Sequence, residues 1–374
     1  MKIGYIAQQV HRHGGMERAS AEVLERLANK HETVVMATKC EIRAAQLSWI
    51  QVPSLLRPEM FHLWNFRRKV RRTEPAQHCE VTMAVNNAAT EADVIVAQFC
   101  HAAFTDRFGG LRGGAKRWRR GYQQLAQRVF MEQERASYLS PRLRKVIAVS
   151  EGVKRELMQY YGLPAERFAV IPNGVDHTVF KPAANAEAKR RLRAELQLPL
   201  DAFSCLFVGG DWDRKGLADA IHAVARVPDA VLVVVGRGDE ARFGAIAAQA
   251  GAQDRIIFCG TSARPQDYYT VADVFVFPTR YEAFSLATLE AAAAGLPILA
   301  PRINGTEELI EDSVNGFFVE MNPASVYDKL RLLWEAPARL QEMSAAILQT
   351  SKRYTWDRIA AEQMQLVESI GGRG

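Results

Sequence analysis

Two acidic residues, Glu282 and Glu290, bracket a stretch that passes from loop to apolar helix: Tyr281-Glu282-Ala283-Phe284-Ser285-Leu286-Ala287-Thr288-Leu289-Glu290-Ala291. Ser285 stands where a helix N-cap is expected, and the free backbone N–H groups of a first helical turn form a ready anion site. An anion held by the Phe284-Ser285-Leu286 backbone would have a carboxylate on either side, Glu282 just before the helix and Glu290 one to two turns into it. A nucleotide-sugar calls for this layout, with N–H groups for the diphosphate and carboxylates for sugar and ribose hydroxyls. The same acids would also be ordinary at a solvated helix start, where negative charge is favoured in any case.

A second group lies in Gly209-Gly210-Asp211-Trp212-Asp213-Arg214-Lys215-Gly216, at a strand-to-helix turn. Cations are disfavoured at a helix start, so the pair Arg214 and Lys215 reads best as a clamp that neutralises a diphosphate, both bound and departing. Asp211 and Asp213 have a D-x-D spacing, but the two cations beside them oppose a metal ion, and no metal is assigned. His11-Arg12-His13 reads as a loop. His101, in Gln98-Phe99-Cys100-His101-Ala102, follows an apolar run and so falls at the strand end where open α/β sheets bind ligands. Gly236-Arg237-Gly238-Asp239-Glu240-Ala241 fits the dinucleotide pattern G-x-G-x-x-A and supports an alternative, an NAD-dependent dehydrogenase. Against it, the next strand ends in Cys259-Gly260 rather than in an acid for the ribose.

These groups need strands and helices to hold them. Apolar runs at 3–7, 34–37, 94–97 and 146–149 alternate with helical spacing such as Met16, Ala19, Val23 and Leu27. The pattern restarts at 205–210, with a helix over 217–227 and runs at 231–235, 255–258, 274–277 and 297–300. Continuous apolar strands separated by helices predict parallel sheets covered on both faces. Pro172-Asn173-Gly174 punctuates the chain between the halves, which predicts an N-terminal domain over 1–177 and a second over 178–352. A length of 374 residues accommodates two such domains. The net charge of +6 favours anionic partners. The opening residues are too poor in apolar side chains for a secretory signal, no apolar run is long enough to span a bilayer, and the five scattered cysteines suggest no disulfide framework. A cytoplasmic, reduced setting is expected.

A basic stretch holds Arg107, Arg112, Lys116, Arg117, Arg119, Arg120 and Arg128, interleaved with Trp118, Tyr122 and Phe130, and predicts a helix over 116–138 with one apolar stripe. Lys116, Arg117, Trp118, Arg119 and Arg120 suit an anionic membrane surface or an acidic glycolipid. A helix packed on its own sheet with a solvated charged face is the alternative, and no nucleic-acid-binding motif accompanies the charge.

The motif running from Glu282 to Glu290 resembles the E-x7-E signature of the retaining glycosyltransferases of family 4, which have the GT-B fold. Other matches follow in order: Gly14-Gly15 to the N-terminal glycine loop, Val149-Ser150-Glu151 to a strand end, Ile171-Pro172-Asn173-Gly174-Val175-Asp176 to the interdomain P-N-G-V-D, and Gly209 to Gly216 to the phosphate clamp. The basic stretch and Glu134-Arg135 are similar to those of lipopolysaccharide-core glucosyltransferases. The resemblance implies two doubly wound Rossmann-like domains with an interdomain cleft, and a C-terminal helix, about 353–374, crossing back to the first. It implies transfer of a hexose, with retention, from a nucleotide-sugar such as a UDP-sugar to a glycan or glycolipid of the cell envelope. The donor would lie on Arg214, Lys215, Phe284, Ser285, Leu286 and Glu290, with Gly15 allowing close approach of the first domain. Glu282 would hold the sugar and His101 would stand near the reacting centre. No cofactor, metal or nucleic acid is implied, and the enzyme would work in the cytoplasm or on the inner face of a membrane. A nucleotide-sugar or glycan-binding protein without turnover is the non-catalytic alternative.

Overall fold

The computed structural model describes residues 1–54, 59–108 and 117–372, without the side chains of 59, 60, 76 and 117–124. The chain divides into two compact units, one of residues 1–173 and 356–374, the other of 174–355.

The first unit is built on a seven-stranded sheet. Its strands in chain order are β1 (Lys2–Ile6), β2 (Glu32–Ala37), β3 (Leu47–Gln51), β4 (Val81–Val85), β5 (Val94–Ala97), β6 (Lys145–Ala148) and β7 (Phe168–Val170). They lie in the order β3-β2-β1-β4-β5-β6-β7, all parallel. β1 and β5 read as unbroken apolar runs because nearly every residue in them is buried, as a sheet covered on both faces requires. The helices that matter to the site are α1 (Met16–Leu27), α2 (Glu59–Arg72), α3 (His101–Phe108) and α4 (Arg117–Tyr138). The helix expected over 116–138 is α4, while Arg107 falls in α3 and Arg112 and Lys116 lie outside the described residues.

The second unit repeats the plan with six strands: β8 (Phe203–Val208), β9 (Ala230–Val235), β10 (Ile256–Phe258), β11 (Val274–Val276), β12 (Ile298–Ala300) and β13 (Gly316–Phe318). Their order is β10-β9-β8-β11-β12-β13, again all parallel. Two helices follow strand ends at its centre, α5 (Leu217–Val224) after β8 and α6 (Leu286–Ala293) after β11. The last helix, α7 (Trp356–Gly371), belongs to the first unit and packs on α1. Arg26 ties to Asp357 at 2.6 Å and His31 to Glu368 at 2.8 Å across that contact.

In both sheets the strand order reverses direction at the first strand, between β1 and β4 and between β8 and β11. The crevice beyond the carboxyl ends at such a switch point is where open α/β sheets bind ligands. The sequence places its chemical groups at these two points.

Candidate functional site

At the switch point of the second unit the loops after β8 and β11 run side by side. Gly216 makes this approach feasible: its φ is +76°, and a Cβ there would stand 2.2 Å from the carbonyl oxygen of Pro278. The contact carries Arg214 and Lys215 up to Glu282. Arg214 donates from Nη1 to Glu282 Oε1 at 2.9 Å, from Nε to Asp211 Oδ2 at 2.9 Å, and to the Tyr281 carbonyl. Lys215 Nζ lies 3.7 Å from the same Glu282 oxygen and 4.8 Å from the centre of the Phe277 ring. Burial works against both cations. At Arg214 it is outweighed by Glu282 and Asp211, so the guanidinium stays above its ordinary value. At Lys215 burial wins, and the ammonium is held below its ordinary value despite Glu282, with Arg214 adding to the lowering.

α6 begins beside this cluster. Ser285 occupies its N-cap, but the hydroxyl makes no capping hydrogen bond, in contrast to the sequence expectation; instead the Ser285 carbonyl accepts from the Thr288 hydroxyl at 2.7 Å. The Ser285 side chain therefore does not cover the N–H groups that an anion would use. Phe284 and Leu286, on either side, are buried. Glu290 is buried one turn in, accepting from the Tyr269 hydroxyl at 2.7 Å. A carboxylate at each side of an uncapped helix start, with two cations across the switch point, can bind a diphosphate and hydroxyl groups.

The dinucleotide-like turn is closed from within. A Cβ on Gly238 would fall 2.2 Å from the buried indole of Trp212, so that glycine makes room for the protein's own ring. Asp211 pairs with Arg214, and Asp213 accepts two hydrogen bonds from Arg242 at 2.7 Å, so both acids of the D-x-D spacing are engaged with arginines.

The first unit has a cleft of about 240 Å³ at its own switch point, lined among others by Glu17, Asn86, Phe99, His101, Phe130 and Glu134. His101 opens α3. Its Nε2 is buried with no hydrogen-bond partner among the described residues, and burial holds the imidazole below its ordinary pKa. Glu134, a buried residue of α4, fixes the place of His101. Its carboxylate accepts from the backbone N–H of His101 at 2.9 Å, from that of Ala102 at 3.0 Å, and from the Tyr161 hydroxyl. Gly15 caps α1 at the rim of this unit, and a Cβ built there meets nothing within 4 Å. Among the described residues, no internal contact accounts for a glycine at that position.

Two family models match side by side, "Glycosyltransferase Family 4" over residues 13–179 and "Glycosyl transferases group 1" over residues 188–350. The chain belongs to glycosyltransferase family 4. Among curated relatives of this family 4 chain, the D-inositol 3-phosphate glycosyltransferase of Xylanimonas cellulosilytica is 31% identical over 232 residues, 59% of this chain and 56% of that protein. That of Streptomyces bingchenggensis is 31% identical over 234 residues, 58% of this chain and 51% of that protein. The chain thus spans a little over half the length of the curated relatives it matches. Among solved structures it is similar to WaaG, a glycosyltransferase involved in lipopolysaccharide biosynthesis, with a TM-score of 0.82 at 19% identity over 98% of this chain and 99% of that one. It is also similar to HepE of Anabaena in complex with UDP-glucose, with a TM-score of 0.76 at 18% identity over 99% and 100%. At these identities the likeness is one of fold, the GT-B fold.

The residues singled out in the sequence of this family 4 chain fall into two groups. Arg214, Lys215, Glu282, Phe284, Ser285, Leu286 and Glu290 converge within the second unit, while His101 and Gly15 lie in the first. Lys116 is outside the described residues, and for Arg117, Trp118, Arg119 and Arg120 only the helical backbone is described. Glu134 was visible in sequence only as part of a similar dipeptide, yet it falls on the inward stripe Phe130, Glu134, Ser137 and Tyr138, where an acid is unexpected. α2 carries no motif in the sequence, yet its outer stripe sets exposed Phe61 and Trp64 before Arg68 and Arg71, with Arg68 over the Trp64 ring at 5.6 Å.

Proposed function

We propose that this chain is a retaining, metal-independent glycosyltransferase that moves a hexose from a UDP-sugar to a glycan or glycolipid acceptor, of which lipopolysaccharide core or another cell-envelope saccharide is the favoured class. The observation that carries this reading is the convergence of Arg214 and Lys215 on Glu282 beside the uncapped start of α6. A UDP diphosphate would take the two cations and the Phe284 to Leu286 backbone, Glu290 would hold the ribose, and Glu282 would turn to the sugar hydroxyls. Gly15 would admit the donor's phosphate close to the backbone, and His101 with the first-unit cleft would receive the acceptor.

The bond from the anomeric carbon to the diphosphate oxygen breaks as the acceptor hydroxyl attacks from the same face, and the hydroxyl proton passes to the leaving diphosphate. Arg214 and Lys215 stabilise the charge that develops on that oxygen, so the rate comes chiefly from positioning and electrostatics. The basic start of α4 would bring the enzyme to an anionic membrane surface from the cytoplasm. No helix among the described residues is long and apolar enough to cross a membrane.

The test is a thermal-shift panel with UDP, GDP, ADP and NAD, each with EDTA and with magnesium. A ligand selective for the folded chain raises its melting temperature by mass action. A shift with UDP that survives EDTA, followed by hydrolysis of a UDP-hexose, supports the reading. A shift with NAD alone overturns it, and UDP binding without turnover of any UDP-hexose would favour the non-catalytic alternative.

A further inference from the structure

We infer that the cleft of the first unit takes an uncharged sugar ring and rejects a phosphorylated one; that this ring is the acceptor rests on the function proposed above. The cleft lies beyond the carboxyl ends of β1, β4 and β5, and one of its walls is the start of α3. A helix start attracts anions through its unpaired N–H groups and its dipole. Here that place is already taken. The Glu134 carboxylate accepts the N–H groups of His101 and Ala102 at 2.9 and 3.0 Å, and the Tyr161 hydroxyl as well. Burial pushes the Glu134 carboxyl up, and these three hydrogen bonds work against that rise. The protein has thus filled with its own carboxyl group the helix end that a phosphate would otherwise seek.

The rest of the lining points the same way. A second carboxylate, Glu17, borders the cleft, and no lysine or arginine is among the described residues that line it. Among the described residues of the lining, a phosphate would therefore meet two acids and no cation, in a partly buried space where screening is weak. A neutral ring meets suitable groups. Phe99 and Phe130 flank His101, with ring centres 6.1 and 5.4 Å from the imidazole, and line the cleft with apolar surface suited to the C–H side of a sugar. The buried His101 Nε2, unpartnered among the described residues, can exchange a hydrogen bond with one hydroxyl. Asn86 and Gln8 supply further polar edges without charge.

The test uses the full chain with matched ligand pairs and saturation-transfer NMR: methyl α-D-glucopyranoside against glucose 6-phosphate, and myo-inositol against myo-inositol 3-phosphate. In each pair the neutral ligand should bind at least tenfold more tightly than the phosphorylated one. His101→Ala and Phe130→Leu should each weaken the neutral ligand several-fold while the melting temperature holds. Equal or tighter binding of a phosphorylated member overturns the inference, as does failure of both neutral ligands to bind or binding untouched by the two substitutions. UDP titration of the same sample separates the two readings: loss of UDP binding would sink the donor site and leave the charge preference of the cleft standing.

Discussion

Replacing Lys215 by methionine should move binding and stability in opposite directions. The ammonium is 13% exposed, 3.7 Å from Glu282 Oε1, and held below its ordinary pKa chiefly by burial. A hydrogen bond from a charged donor contributes about 1.5–3 kcal/mol, so its loss should raise the UDP dissociation constant about 10- to 150-fold. Methionine keeps the length and apolar bulk beside Phe277. Glu282 retains Arg214 at 2.9 Å, so no buried charge is stranded. With a desolvated cation removed, the ligand-free melting temperature should hold or rise. The pH dependence has a definite sign. Because the folded pKa lies below the unfolded value of about 10.5, the unfolded chain binds more protons between the two, and wild-type stability climbs with pH across that window relative to Lys215→Met. Calorimetric UDP titration and urea denaturation at neutral and alkaline pH measure both effects. An unchanged UDP affinity, or a stability loss above about 2 kcal/mol, would show that Lys215 serves the fold rather than the diphosphate.

Glu282→Ala should lower transfer at least about 100-fold while UDP affinity stays level or rises, since both cations are released from their carboxylate; steady-state turnover beside UDP titration decides it. Gly15→Ala should leave the melting temperature unchanged, as its Cβ meets nothing within 4 Å, yet reduce turnover of the UDP-sugar. Gly14→Ala should instead destabilise by about 1 kcal/mol, because φ is +84° and its Cβ would lie 2.6 Å from Glu17 Oε2; thermal melts of the pair separate the two glycines. Glu134→Ala removes a cap and strands buried donors, and urea denaturation should register a loss of about 2–4 kcal/mol. Changing Arg117, Arg119 and Arg120 together to Glu should reduce co-sedimentation with anionic liposomes and leave UDP binding intact; equal sedimentation would exclude that helix start as the membrane contact.

The strands legible in the sequence are those buried on both faces, such as β5 and β9, whose apolar runs leave no ambiguity. β3 and β7 escaped notice because Leu47–Gln51 is a mostly exposed edge strand and Phe168–Val170 an edge strand buried only in part, β13 because a glycine opens its three residues, and β4, though buried, because Thr82 breaks its apolar run. The second-unit cluster was legible because its members sit in two short segments, each following a recognisable strand. Glu134 was not, since its partners are the N–H groups of His101 and Ala102, more than thirty positions away, and backbone donors leave no mark in a sequence. The turn at Gly236 and Gly238 left a dehydrogenase alternative open for a related reason: only the three-dimensional neighbour, Trp212, reveals what the missing side chain of Gly238 makes room for.

The chain leaves the first unit at Asn173 and returns at Trp356, and within the second unit the two ends meet. Val175 donates its N–H to the Tyr354 carbonyl at 2.8 Å and forms a parallel bridge with Thr355. The second unit is thus a self-closing insertion, an excisable cassette whose start and finish are neighbours. Segment 174–355 could be expressed alone, or the first unit resealed by a short loop, without drawing distant ends together. Such a junction would also let one second unit be exchanged for another while the rest of the protein kept its own last helix.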